Sequence, residues 1–114
     1  MARILVVDDE PDVAHTIQRS LALKGHEVLT AHGGTEGLRL VWSWKPDLLI
    51  LDILMPDLNG IEVCKRLRTD QRTADIPIIF LTAKGEKMDI RLGKQLGVDD
   101  YITCLLYTSP SPRD

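Results

Sequence analysis

An α/β fold, a doubly wound parallel five-stranded sheet with helices on both faces, is the architecture this sequence predicts. Short runs of β-branched and aliphatic residues recur along its 114 residues, and stretches with helical apolar spacing separate them. An acid or a hydroxyl closes the first, third and fourth runs. Strands alternating with helices imply right-handed crossovers, and so a parallel sheet covered on both sides. A chain of this length has room for one such domain around one core.

The first run, Ile4, Leu5, Val6 and Val7, is continuous rather than alternating, as expected of a strand buried on both faces, and it ends at Asp8 and Asp9. Pro11 suits the first turn of a helix. Val13, Ala14, Ile17 and Leu21 then fall at helical spacing, and Lys24 with Gly25 supplies the stop. Residues 27–31 read as a short second strand. A helix follows over 35–44, with Leu38, Val41 and Trp42 inward and Lys45 and Pro46 closing it. Leu48, Leu49, Ile50 and Leu51 form a third strand ending at Asp52. The turn-rich stretch 55–60 leads to a helix over 61–68, where Ile61, Cys64 and Leu67 share a face. A fourth strand over 76–81 ends at Thr82. Met88, Arg91, Leu92 and Leu96 mark a fourth helix before Gly97, and residues 101–103 make a short fifth strand.

Composition narrows the function. The formal charge is −3 with no Lys/Arg block, so direct nucleic-acid binding is not expected. The start of the chain turns acidic too soon for a signal peptide or a membrane span, which implies a cytoplasmic location and no membrane. Cys64 and Cys104 lie far apart without CxxC spacing and read as isolated thiols. His15, His26 and His32 are dispersed over a helix and the second strand with its edge, and read as satisfied or solvated. Trp42 and Trp44 read as helix packing and an amphipathic rim.

In open α/β sheets, ligands bind outside the carboxyl ends of the strands, where strand order reverses. With a flavodoxin-like order 2-1-3-4-5, the ends of strands one, three and four are neighbours, which gathers Asp8, Asp9, Asp52 and Thr82 in one shallow pocket. Three carboxylates so close repel unless a proton or a cation intervenes. All-oxygen ligation completed by water is the habit of Mg²⁺. With such an ion in place, one carboxylate can attack a phosphoryl donor, and Asp52 is the candidate nucleophile. Taken singly, an Asp-Asp pair after a strand is as well read as a turn or helix cap, and Thr82 as a capping hydroxyl. Their joint occurrence at separate strand ends favours a site.

Ile4 to Glu10 with its paired acids, Asp52 followed by Met55, Pro56 and Gly60, Thr82 with Ala83, and Gly97 to Tyr101 together resemble the receiver family of bacterial two-component response regulators. The resemblance covers residues 2–103. It implies that Asp52 is the phospho-acceptor, receiving its group from a sensor histidine kinase or phosphotransfer protein. It also implies that Asp9, Asp52 and the backbone carbonyl of Leu54 ligate magnesium directly, with Asp8 holding the metal through water. Thr82 and Tyr101 resemble the coupled switch pair. The product of the resemblance is a signalling switch, not an enzyme that turns over an external substrate. An effector domain beyond the C-terminal end would carry the output, and dimerisation stays open.

The sequence departs from that family at its end. Where the family places a lysine followed by proline, this chain has Cys104, whose thiol supplies no fixed positive charge to the transferred group. Residues 104–114 carry two prolines and no amphipathic pattern, so the family's fifth helix is expected to be missing; the segment resembles translated adaptor read-through and is read as a non-native tail. Three other readings stay open. A degenerate receiver would dock partners without phosphorylation. A magnesium-dependent phosphohydrolase would show Asp-x-Asp on one loop, and a flavin or nucleotide binder would need a Gly/Ser/Thr phosphate cradle where Asp8, Asp9 and Glu10 stand.

Overall fold

The computed structural model describes residues 2–53, 55–82 and 100–103, with Thr82 and 100–103 as backbone. Its elements are β1 (Arg3–Val7), α1 (Pro11–Ala22), β2 (Glu27–Ala31), α2 (Gly34–Trp44), β3 (Leu48–Asp52), α3 (Gly60–Arg68), β4 (Ile78–Thr82) and β5 (Asp100–Thr103). All strand pairs are parallel, and the sheet order is β2-β1-β3-β4-β5, as the alternating pattern predicts. The expected fourth helix, marked by residues 88–96, and the tail 104–114 lie outside the described residues.

Side chains alternate between the faces of a strand, and that alternation divides the core in two. Leu5 and Val7 of β1, Leu49 and Leu51 of β3, and Ile78 and Phe80 of β4 meet Leu38 and Val41 of α2 and Val63, Cys64 and Leu67 of α3 on one face. Ile4, Val6, Val28, Ile50 and Leu81 meet Ala14 of α1 on the other, with Ile17 and Leu21 packed alongside. Strands buried on both faces explain why β1 and β3 read as unbroken apolar runs. Full burial of one such side chain stabilises the fold by about 1.5–3 kcal/mol.

The helix ends follow local chemistry. Pro11 occupies the first turn of α1, and Gly25, at φ 94°, turns the chain back toward β2 in a conformation that favours glycine. Lys45 adopts the left-handed conformation after α2 ahead of Pro46, which cannot extend a helix. Asn59 caps α3 by accepting a hydrogen bond from the Glu62 amide at 2.9 Å. Thr73 is buried, and its hydroxyl donates to the Leu67 carbonyl at 2.6 Å near the far end of α3.

Two expectations are corrected. Trp42 does not face inward: it is 39% exposed, with the Arg72 guanidinium 6.0 Å from its ring centroid. It stands about a quarter turn from the centre of the buried stripe of α2, too far round for so large a ring to enter the core. Trp44, on the other flank of that stripe, packs partly against the core beneath the Arg3 guanidinium. The fourth strand starts at Ile78 rather than residue 76. Pro77 has no amide to give to the ladder, and the Ile76 amide donates to the Thr73 carbonyl in the preceding turn.

Candidate functional site

Strand order and register assemble the site. Val7 is paired with Leu51, so the residues that follow them, Asp8 and Asp52, stand side by side at the carboxyl ends of adjacent strands. The Asp8 amide continues the ladder by donating to the Ala31 carbonyl at 3.0 Å. One carboxylate oxygen from each of Asp8, Asp9 and Asp52 lies within 4.8 Å of the others. Asp8 is buried, whereas Asp9 and Asp52 are half-exposed. An incoming donor can therefore reach the last two.

Desolvation is the main cause of a raised Asp8 pKa, and the Asp9 charge pushes the same way. The Glu10 amide, donating to Asp8 Oδ1 at 2.8 Å, and a hydrogen bond with Asp52 act against that shift. The cluster is thus short of positive charge. All its donors are hard carboxylate oxygens, and Cys64, the thiol among the described residues, is buried in the core. Such a donor set fits Mg²⁺ or a similar hard dication, and does not fit a thiolate-seeking metal.

The loop after Asp52 is held from two sides. The Gly60 amide donates to the Ile53 carbonyl at 2.8 Å, and a β-carbon on Gly60 would stand 2.3 Å from the Asp52 carbonyl oxygen. A side chain at position 60 would therefore push directly on the backbone of the nucleophile candidate. Asp57 reaches across to the start of α2, accepting from the Gly34 amide at 3.1 Å and the Thr35 amide at 3.2 Å. These bonds hold the Asp57 carboxyl below its ordinary pKa. Met55 is buried and anchors the middle of the loop.

The structure brings Asp8, Asp9 and Asp52 together, as their positions in the sequence imply. The Asp52–Leu81 pairing puts the backbone of Thr82 at the same end of the sheet, and Tyr101 of β5 pairs with Phe80 of β4. The Thr82 and Tyr101 side chains, the Leu54 carbonyl and Cys104 lie outside the described residues. Two features have no signal in the local sequence. The cap formed by Asp57 is one, since its partners are 22 and 23 residues away. The other is the meeting of His15 and His32, whose ring centroids are 6.1 Å apart.

A mixed-charge cleft and the gathered carboxylates lie at opposite ends of the sheet. A cleft of about 710 Å³ opens beside the amino-terminal ends of β3 and β4, lined by Trp42, Lys45, Asp47, Arg72 and Asp75 among others. Its acids and bases are mixed, and it holds no gathered carboxylates like those at the carboxyl ends. Converging acids at a strand-order reversal make the carboxyl ends the candidate site. No helix among the described residues is long and apolar enough to cross a membrane.

Comparison with known proteins agrees with the geometry. The sequence model of one family, described as "Response regulator receiver domain", matches residues 4–104. The chain is 48% identical over 101 residues to the alkaline phosphatase synthesis transcriptional regulatory protein PhoP of Bacillus subtilis, covering 89% of this chain and 41% of that protein. It is 42% identical to protein PilH of Pseudomonas aeruginosa, covering 90% of this chain and 85% of PilH. Among solved structures, the chemotaxis protein CheY4 of Vibrio cholerae superposes with a TM-score of 0.84 at 30% identity, covering 95% of each chain. The chain spans less than half the length of its longer curated relatives, 41% in the case of PhoP.

Proposed function

The chain belongs to the response regulator receiver domain family, and from that premise we propose that Asp52 accepts a phosphoryl group from the phosphohistidine of a sensor histidine kinase or phosphotransfer protein. The observation that carries this reading is the convergence of Asp8, Asp9 and Asp52 at the ends of neighbouring strands. Asp9 and Asp52, with the Leu54 carbonyl, would hold Mg²⁺ directly, and buried Asp8 would orient its water. When bound, the ion screens the acids from the phosphoryl oxygens and aligns the transfer.

An Asp52 carboxylate oxygen attacks phosphorus in line with the donor. The new O–P bond forms as the P–N bond of the phosphohistidine breaks, and the electron pair of that bond leaves with the imidazole nitrogen. Asp8 acts by position: the Glu10 amide fixes its carboxylate against the nucleophile. Thr82 and Tyr101 would read the modified state, the hydroxyl turning to the phosphoryl oxygens and the aromatic ring turning inward. On this reading the domain is a cytoplasmic switch and not an enzyme acting on external substrates, and any DNA contact belongs to an effector.

The test is incubation with magnesium and acetyl phosphate, followed by peptide mass spectrometry. The gain of one phosphoryl group at Asp52, absent in Asp52→Asn and with magnesium chelated, is the expected result. Modification elsewhere with Asp52 untouched would overturn the assignment. Cys104, in place of an expected lysine, favours one second reading: a degenerate receiver that docks its partners without phosphorylation. Retained binding to a partner kinase, with no modification by any donor, would select it.

A further inference from the structure

Beside the carboxylates, but outside them, two imidazoles meet. His15 projects from α1, and His32 follows the last residue of β2 at the same end of the sheet as the acids. Both are exposed, and their ring centroids stand 6.1 Å apart with planes at 89°. We propose that His15 and His32 form a second cation site, a two-nitrogen chelate for a borderline divalent transition ion of the Zn²⁺ class, separate from the oxygen-lined acid cluster.

The spacing suits a shared ion. With Zn–N bonds of about 2.0–2.1 Å, each ring centroid lies roughly 3.2 Å from the metal, so two rings on one tetrahedral ion stand about 5.2 Å apart. The observed separation of 6.1 Å is about an ångström wider, a gap that rotation of the exposed His15 side chain would close. In the edge-to-face arrangement one ring must turn to aim its lone pair. His15 can do so, because no hydrogen bond holds its exposed ring among the described residues.

The surroundings of His32 are those of a prepared ligand. Its Nδ1 lies 3.4 Å from the Asp8 carbonyl oxygen, which favours the tautomer with the proton on Nδ1 and leaves the Nε2 lone pair for a metal. Metal-bound histidines ordinarily donate their other ring N–H to just such a carbonyl. The Glu36 carboxylate, accepting from the His32 amide at 3.0 Å, adds negative charge beside the pair. Imidazole nitrogen selects zinc-like ions, whereas the carboxylates a few residues away select hard ones, so the two sites divide the cations by chemistry. The Asp8 carbonyl links them, since the backbone that orients His32 also carries the buried acid of the first site.

The test titrates Zn²⁺ into the full chain in excess Mg²⁺, reading the heat of binding and the imidazole resonances. One zinc per chain is expected, with shifts at His15 and His32. Affinity should fall at least tenfold in His15→Ala and in His32→Ala, and should hold in His26→Ala, whose parent ring accepts from the Ala2 amide instead. Zinc binding that neither substitution weakens would overturn the proposal, as would resonances of His15 and His32 that do not move in the unsubstituted chain. The resonance measurement needs no variant to fold, so the outcome does not rest on the substitutions.

Discussion

The Asp57 carboxylate accepts a hydrogen bond from the Gly34 amide at 3.1 Å, which ties the loop after the proposed nucleophile to the amino terminus of α2. Helix α2 has no capping side chain of its own, because Gly33 occupies its cap position. Asp57 performs that service from 23 residues away. The bond thereby joins two segments whose apolar side chains, Met55 of the loop and Leu38 of α2, share one core cluster.

Asp57→Ala removes the cap, and a loss of about 1 kcal/mol of stability is expected, the usual value for a helix N-cap. The pH dependence has a definite sign. The folded-state pKa of Asp57 lies below its ordinary value, so its contribution is present above the unfolded carboxylate range and is lost as pH falls through the folded value. Urea midpoints of the parent and variant should therefore differ at neutral pH and converge in acid. A gap that stayed constant down to the acid limit would mean the amides do not favour the ionised form.

Asp8 behaves in the opposite sense. Burial and the Asp9 charge raise its pKa above 3.8, so in magnesium-free buffer its contribution to stability is present below the unfolded value and is lost as pH rises through the folded one. Asp8→Asn keeps an oxygen for the Glu10 amide and removes one charge of the cluster. At separations within 4.8 Å, relief of one repulsion is worth roughly 1–3 kcal/mol between water-like and near-surface screening. The metal-free variant should melt higher at neutral pH while binding magnesium more weakly. A variant that melts lower, with its fold intact, would contradict the crowding of acids.

Gly60→Ala tests the loop from its other side. Its new methyl group would stand 2.3 Å from the Asp52 carbonyl oxygen and 2.9 Å from the Ile53 Cα, both backbone atoms that move only if the loop moves. Overpacking of this kind costs about 1–3 kcal/mol. Because the strain falls on the backbone of Asp52, phosphorylation by acetyl phosphate should slow more than the stability loss alone explains. Equal rates per folded molecule would show that the loop yields without moving the carboxylate.

These contacts also show how far the sequence alone reaches. The second strand is legible to the residue at 27–31, because β-branched residues sit between a glycine-containing stop and a glycine-rich start. The acid site is legible because each member closes an apolar run, and strand order does the rest. Trp42 is misplaced because it lies on the flank of the buried stripe of α2, where its ring stays at the surface beside Arg72. The fourth strand is read two residues early because Ile76 is apolar enough for a strand, while Pro77 decides where the ladder begins. The Asp57 cap and the His15–His32 pair are tertiary events, invisible to any local period.

Cys104 carries the last prediction. It directly follows β5, which ends at Thr103, and β5 pairs with β4 at the end of the sheet where the acids gather. The family's pattern implies that a lysine ammonium at this position contacts the phosphoryl group, and a neutral thiol offers no such attraction. Cys104→Lys should therefore raise the rate of Asp52 modification by acetyl phosphate at least tenfold, given the roughly 10²–10³-fold effects of single charge-stabilising donors. Cys104→Ser, neutral and close in size, should leave it unchanged. Because the two variants differ in charge and in reach, Cys104→Met supplies length without charge and should resemble serine. A rate that rises equally with methionine and lysine would assign the effect to packing, and the electrostatic argument would fall.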